Sequence, residues 1–489
     1  MKKEVGFLFI YFMLVPCTIF AQGTIHDAYN DFKQKAKSDY EDFRKKANQE
    51  YADWMRKAWD WHDKIAPMPR PKDEMLPPVI YNKEKEKEES KPLPYDNVVP
   101  TPEPSPQPKP VAPIKENEGD YKVIHFQFFG TDGQVRFPND YAFQLKGKDE
   151  GAFAKGWEEL SSDKFDNLIR DCLVLRMEHK LCDWAYLKML GFMSETICGG
   201  WNNEARMIQG FVLCQSGYKI RFGITKDKEL RLLFKSEHQV FDLDGFKMQD
   251  GLFYLIEPVA DDGLGICDIS FPDEKPLSLW INQEQLLSEN LSEERLLIQG
   301  DGERTIRVKT NKNLISFCNS YPTSMIGEDI VSRWAMYANT PMSNRQKAKL
   351  YPQLKEAMKK YDITDDLNAA SWLLYWVQTA FVYEYDDKVW GRDRAFFAEE
   401  TLYYPYCDCE DRSILFSRLV RDLLGLDVIL VFYPGHLATA VAFKESVEGD
   451  YINLNGKRYT ICDPTYIGAP VGETMPEMDN KTAKVICVK

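Results

Sequence analysis

Near its C-terminus the chain places a thiol, an imidazole and a carboxylate in an order that suits acyl transfer. Cys409 lies in Tyr-Cys-Asp-Cys-Glu-Asp-Arg-Ser (Tyr406 to Ser413), His436 follows Pro434-Gly435, and Asp463 stands in Cys-Asp-Pro-Thr (Cys462 to Thr465). A thiolate nucleophile needs a base, and the base needs a group that orients it. Cys409, His436 and Asp463 are the candidates for those three roles.

Periodicity supplies the elements that must position them. After Cys409, the residues Ile414, Leu415, Leu419, Val420, Leu423 and Leu424 keep helical spacing, and Gly425 stands where a helix C-cap would. Cys409 is therefore expected at a helix N-terminus, where backbone N–H groups and the helix dipole favour a thiolate. Glu410 and Asp411 read first as ordinary first-turn capping acids, with assistance to the thiol as the alternative. Asp427 to Tyr433, Leu437 to Phe443 and Arg458 to Cys462 alternate like strands, with Asp463 at the end of the third. Adjacent strands would set His436 beside Asp463, and the helix would hold Cys409 against His436. Helical patterns also cover 343–360 and 365–383. The second carries Trp372, Leu373, Trp376, Val377, Ala380 and Phe381 on one face, expected to be core.

Cys-Glu-Asp-Arg-Ser opening a helix, a His heading a strand and Asp-Pro-Thr-Tyr closing the next resemble the transglutaminase-like superfamily. Many of its members carry Gly-Asp-Cys-Glu-Asp before the helix and Asp-Pro-Thr after the last strand. The resemblance spans roughly residues 365–467. It implies a papain-like α+β core in which Cys409 is the nucleophile, His436 the general base and acid, and Asp463 the orienting carboxylate. Cys407 departs from the family's Gly or Ser and reads as inert or as a redox partner of Cys409. The family's Trp after the His is replaced by Leu437-Ala438-Thr439, so substrate contacts do not carry over. Gln378 and Trp390 are candidates for an oxyanion donor beyond the Cys409 N–H.

The rest of the 489 residues divides by composition. Residues 1–22 read as a secretory signal, with Lys2 and Lys3, the apolar run Val5 to Phe20, and Ala21-Gln22 as the cleavage boundary. A retained anchor fits less well because the apolar run is short, and Pro16 does not suit lipid attachment at Cys17. Residues 23–64 contain an eleven-residue repeat: Tyr29 to Phe32, Tyr40 to Phe43 and Tyr51 to Trp54, each followed by Ala36, Ala47 or Ala58. Eleven residues make three helical turns, so an amphipathic helix is expected, packing on its own protein, self-associating or meeting an envelope partner. Residues 65–118 are Pro-rich and charged and read as an extended tether. Residues 119–335 read as a mixed helix and strand region, and 340–489 as the C-terminal transglutaminase-like domain. The overall expectation is α+β.

Within the mixed region, Tyr121 to Phe129 reads as a strand with a hairpin turn at Thr131-Asp132-Gly133. Asn203 to Ile220 echoes Asp411 to Val428, with Trp201 where the later stretch has Cys409. That similarity is either a catalytically dead copy of the same core or chance.

The net charge of −14 argues against nucleic acid as a partner. Cysteine and histidine spacing gives no zinc site, the Asp-Gly pairs continue into no EF-hand loop, and no cofactor is expected. No segment after the signal has the run of apolar residues a membrane crossing needs. Three readings follow: an exported thiol hydrolase acting on protein, peptide or cell-wall peptide substrates; acyl transfer to an amine; or an envelope-associated scaffold with a vestigial catalytic fold.

Overall fold

The computed structural model describes residues 41–71, 76–82, 90–101, 106–111, 114–300, 302 and 304–489. The expected signal segment, the first copy of the eleven-residue repeat and the charged run at 83–89 lie outside the described residues. Helices and strands alternate irregularly, and six-stranded sheets dominate two regions, as an α+β chain requires.

The helix expected over 23–64 is helical at 41–55 and stops there. Its buried side is Arg44, Asn48, Tyr51, Ala52 and Met55, with Phe43 and Trp54 exposed. Tyr51 stacks on Trp157 at 4.1 Å and on Phe271 at 4.7 Å, so the helix packs on the chain's own central region. Beyond it, Asp60–Asp63 forms a strand, β1, where the repeat predicts continued helix. Backbone pairing with a waiting sheet edge outweighs the helical pattern there.

The expected tether is also docked where it is described. Asn97–Val99 forms β2, and isolated bridges join Ile65 to Gly245, Met68 to Phe241, Ile80 to Ile467 and Pro92 to Tyr451. Prolines disfavour a packed core but do not prevent an extended chain from lying along sheet edges and loops.

In the mixed region, the strand Tyr121–Phe128 pairs with Thr131–Pro138. Its turn is Phe129-Gly130, both at positive φ, whereas Asp132-Gly133 lies inside the second strand. Further along come helix α1 (Asn203–Gln215) and strands β3 (Ile220–Ile224), β4 (Leu230–Lys235), β5 (Gly245–Met248), β6 (Gly251–Leu255) and β7 (Gly263–Cys267). They form an antiparallel sheet in the order β1-β7-β3-β4-β6-β5. α1 packs on β3 and β4.

The C-terminal region repeats this plan. Helices α2 (Asp366–Ala380) and α3 (Cys409–Leu424) precede β8 (Asp427–Tyr433), β9 (His436–Ala442), β10 (Tyr451–Leu454), β11 (Lys457–Cys462) and β12 (Lys484–Cys487). The sheet order is β2-β12-β8-β9-β11-β10. Strand for strand this matches the central sheet, except that β2 joins parallel and β1 antiparallel. In both units a helix enters directly before the second strand and packs on the second and third. The echo noted in sequence therefore coincides with two copies of one topology.

Between α2 and α3 lies an apolar core that continues onto the sheet through Val428 and Val441. Trp372, Leu373, Trp376 and Val377 of α2 are buried with Leu415, Phe416, Leu419 and Val420 of α3. Trp376 is fully buried, and Trp376→Ala is expected to cost about 3–5 kcal/mol, read as a lowered urea midpoint. Among the described residues, no helix is long and apolar enough to cross a membrane.

Candidate active site

α3 begins at Cys409 because the preceding residue closes its first turn. Asp408 has extended backbone angles, and its N–H donates to Asp411 Oδ2 at 3.3 Å, while Asp411 Oδ1 accepts from the Phe396 N–H at 2.8 Å. At the far end Gly425 adopts φ 65° and its N–H donates to the Arg421 carbonyl. Ser413 Oγ donates to the Leu437 carbonyl at 2.8 Å, which pins the helix to β9 one residue past His436.

β8 and β9 form a tight hairpin in which Tyr433 pairs with His436 across Pro434-Gly435. Gly435 sits at φ 77°, a region that a side chain disfavours. The hairpin therefore fixes His436 as the first residue of its strand. β9 pairs with β11, which delivers Asp463 beside it. His436 Nε2 lies 2.7 Å from Asp463 Oδ2, and both residues are buried. Asp463 Oδ1 accepts from the N–H groups of Thr465 (2.8 Å) and Tyr466 (3.2 Å), so both carboxylate oxygens are engaged. The second ring nitrogen, His436 Nδ1, is buried with no hydrogen-bond partner.

The Cys409 thiol is fully buried beside the start of β9. Burial pushes it well above the ordinary thiol range, and the Glu410 and Asp408 carboxyls push it further. The Leu437 N–H, which donates to it, pulls the other way. Glu410 Oε2 is 3.5 Å from Sγ. Glu410 thus faces the thiol; only Asp411 serves as the capping acid expected of both. In this arrangement Cys409 is held as a thiol.

Further acids gather behind it. Asp386, Asp408 and Glu410 have carboxylate oxygens within 4.8 Å of one another, a spacing that suits a shared proton or a hard cation. Burial, with Glu410 second, pushes Asp386 up to about 8. Glu410 itself is pushed up to about 7, by burial first and then by Asp393. Both carboxyls therefore hold a proton more readily than an exposed acid does.

Two residues position the loop that carries Asp463. Gln378 Nε2 donates to the carbonyls of Asp463 (3.0 Å), Tyr466 (2.8 Å) and Ala469 (3.1 Å), and its Oε1 accepts from the Gly468 N–H (3.1 Å). All of its amide is used within that loop, which corrects the expectation that it could donate to an oxyanion. Arg412, buried and not singled out in the sequence, donates to the carbonyls of Phe381 (2.7 Å), Gln378 (3.2 Å) and Pro464 (3.5 Å). It ties α3 to the end of α2 and to the residue after Asp463. Its position one turn after Cys409 was visible in sequence, but its three carbonyl partners were not. Trp390 packs edge-on against Phe396 (5.8 Å) and Tyr404 (4.9 Å), with Arg394 over its ring at 4.3 Å.

Gln378→Ala is expected to destabilise the fold, read as a lowered urea midpoint, because it leaves the Asp463, Tyr466 and Ala469 carbonyls and the Gly468 N–H without their buried partner.

Cys407 lies across from Tyr383, and its Sγ is 3.8 Å from the Val382 carbonyl. Among the described residues no disulfide forms, so Cys407 and Cys409 are not bonded to each other.

The central copy lacks this chemistry. Its helix α1 starts at Asn203, whose Oδ1 accepts from the Leu230 N–H at the head of β4 (2.8 Å). Asn203 and Cys409 each open their helix, so by helix start Asn203 rather than Trp201 aligns with Cys409, although its N–H partner lies one strand position earlier than Leu437. Leu230 opens the strand that His436 opens in the other unit, and Ile256 follows β6 where Asp463 follows β11. No family model, curated protein or solved structure matches the chain.

Proposed function

We propose that the chain is a thiol-dependent amide hydrolase of the transglutaminase-like kind, with a papain-like core formed by α3 and the C-terminal sheet. The observation that carries this reading is the His436–Asp463 hydrogen bond through Nε2. It leaves the buried Nδ1 without a partner one residue from the N–H that contacts the Cys409 thiol. In this reading Cys409 Sγ attacks an amide carbonyl, and its proton moves to His436 Nδ1. Collapse of the tetrahedral adduct breaks the C–N bond, and Nδ1 returns the proton to the leaving amine. Water then attacks the thioester, losing a proton to Nδ1 and regenerating the thiol. Asp463 keeps the Nε2–H tautomer throughout. The Cys409 N–H, at the N-terminus of α3, is placed to stabilise the oxyanion.

The substrates are proteins, peptides or cell-wall peptide stems, and residues 1–22 make the protein exported, periplasmic or extracellular. Transfer to an amine would share the same acyl-enzyme. Incubation with peptide libraries and a labelled primary amine, followed by mass spectrometry, separates the two: hydrolysed product alone excludes transfer. Cys409→Ala should abolish either product, and unchanged turnover in that variant would sink the reading. The scaffold reading has one observation in its favour, the complete burial of the Cys409 thiol. Absence of turnover once the site is opened would select it.

A further inference from the structure

Cys409, His436 and Asp463 are 0%, 0% and 3% exposed, so a substrate has no path to the thiol in this conformation. A piece of the chain's own N-terminal half is hydrogen-bonded to the segments on either side of them. The Leu76 N–H donates to the Gly435 carbonyl at 2.8 Å, directly before His436. The Leu76 carbonyl accepts from the Tyr383 hydroxyl at 3.3 Å. Tyr383 is itself close enough to Cys409, Asp408 and Glu410 for their charges to raise its pKa. One residue thus spans the two walls of the site, the wall bearing the histidine and the wall bearing the thiol.

The same segment then runs along the loop that carries Asp463. The Ile467 N–H donates to the Val79 carbonyl (2.8 Å), the Tyr81 N–H donates to the Ile467 carbonyl (2.9 Å), and Ile80 pairs in parallel with Ile467. Val79 and Tyr81 turn inward onto a small cluster of Tyr466, Ala469 and Met475, with Tyr81 edge-on to Tyr466 at 5.5 Å. Ile80, between them, is 78% exposed. An extended segment held by main-chain hydrogen bonds, with alternate side chains seated, is how a cleft binds a peptide.

We infer that the cleft over Cys409 accepts an extended, apolar polypeptide, and that residues 76–81 occupy it as an internal blocking strap. This rests on the proposed thiol chemistry for its meaning but not for its test. The strap's composition suits an occupant that is not cleaved. Leu76–Pro77 and Pro77–Pro78 are tertiary amides without an N–H, and prolines favour the extended conformation that the cleft holds. Removing the strap also returns water to a thiol whose high pKa comes first from burial.

The test uses the full chain with residues 76–81 replaced by glycine and serine at the same length. Iodoacetamide alkylation is followed at each cysteine by mass spectrometry. Cys409 should react at least tenfold faster than in the unaltered chain, while the buried Cys172 and Cys462 stay unreactive. A synthetic peptide carrying Leu-Pro-Pro-Val-Ile-Tyr, added in excess, should slow Cys409 again. An unchanged Cys409 rate, or an equal gain at Cys172 and Cys462, overturns the strap. If the replacement does not melt cooperatively, Tyr81→Ala gives the same comparison, with a gain of at least threefold expected and no gain overturning it. Alkylation needs no catalysis, so the two readings fail separately. A reactive Cys409 without peptide turnover sinks the hydrolase and leaves the strap; full turnover by the unaltered chain sinks the strap and leaves the hydrolase.

Discussion

Asp463→Asn, measured in the protein with its strap replaced, is expected to lower kcat by about 10⁴-fold while the melting temperature changes little. The reason lies in the division of labour between the two carboxylate oxygens. Oδ1 accepts from the Thr465 and Tyr466 N–H groups, and an asparagine oxygen can do the same. The loop therefore keeps its shape. Oδ2 faces His436 Nε2, and there the substitution places an N–H donor instead of an acceptor. The imidazole must then carry its proton on Nδ1, the nitrogen needed as the base. Turnover above a tenth of the parent rate would remove Asp463 from its assigned role.

Glu410→Gln is the second large effect, and it acts on both stability and reactivity. Glu410 is held at about 7, above its ordinary value, by burial and then by Asp393, with Arg333 opposing. Between the ordinary carboxyl range and about 7, the folded state therefore holds more protons than the unfolded state. That stability is complete at low pH and lost as pH rises through the folded value. Asp386, at about 8, and Glu400, at about 7, act in the same direction. Urea midpoints of the parent chain should fall between pH 5 and pH 8, and Glu410→Gln should flatten part of that fall. A midpoint that rises across this range would contradict the buried, protonated cluster. The same substitution removes a carboxyl 3.5 Å from the thiol. The pH profile of Cys409 alkylation should therefore move to lower pH in the opened protein.

The two units show what local pattern can and cannot convey. The apolar spacing after Cys409, the Gly425 cap and the alternation of β8, β9 and β11 were all readable. They are set by neighbours within a few residues, the range over which helical and strand periodicity acts. The helix at 41–55 was also readable, but its end was not. The pattern continued past residue 55, and the edge of β7, more than 200 residues away, took Asp60–Asp63 instead. The Phe129-Gly130 turn was missed because Asp132-Gly133 is the stronger local turn signal, yet strand pairing put that dipeptide inside the ladder. The echo between Asn203 and Asp411 was faint because two sheets can share an order of strands while sharing few side chains.

The sequence by itself determined the chemical inventory of the site: a thiol at a helix start, an imidazole at a strand start and a carboxylate at a strand end. Each depends on a residue type and its immediate neighbours. Tertiary structure decided the rest. It assigned Nε2 to Asp463, used the whole amide of Gln378 on the Asp463 loop, and turned Glu410 toward the thiol. It also laid Leu76–Tyr81 across the cleft. Those outcomes depend on contacts between residues far apart in the chain, some by more than 350 positions, and on the low dielectric that burial creates around charged groups. Residue pattern carries no information on which distant segment will shield which carboxylate, so the closure of the site is a property of the folded chain alone.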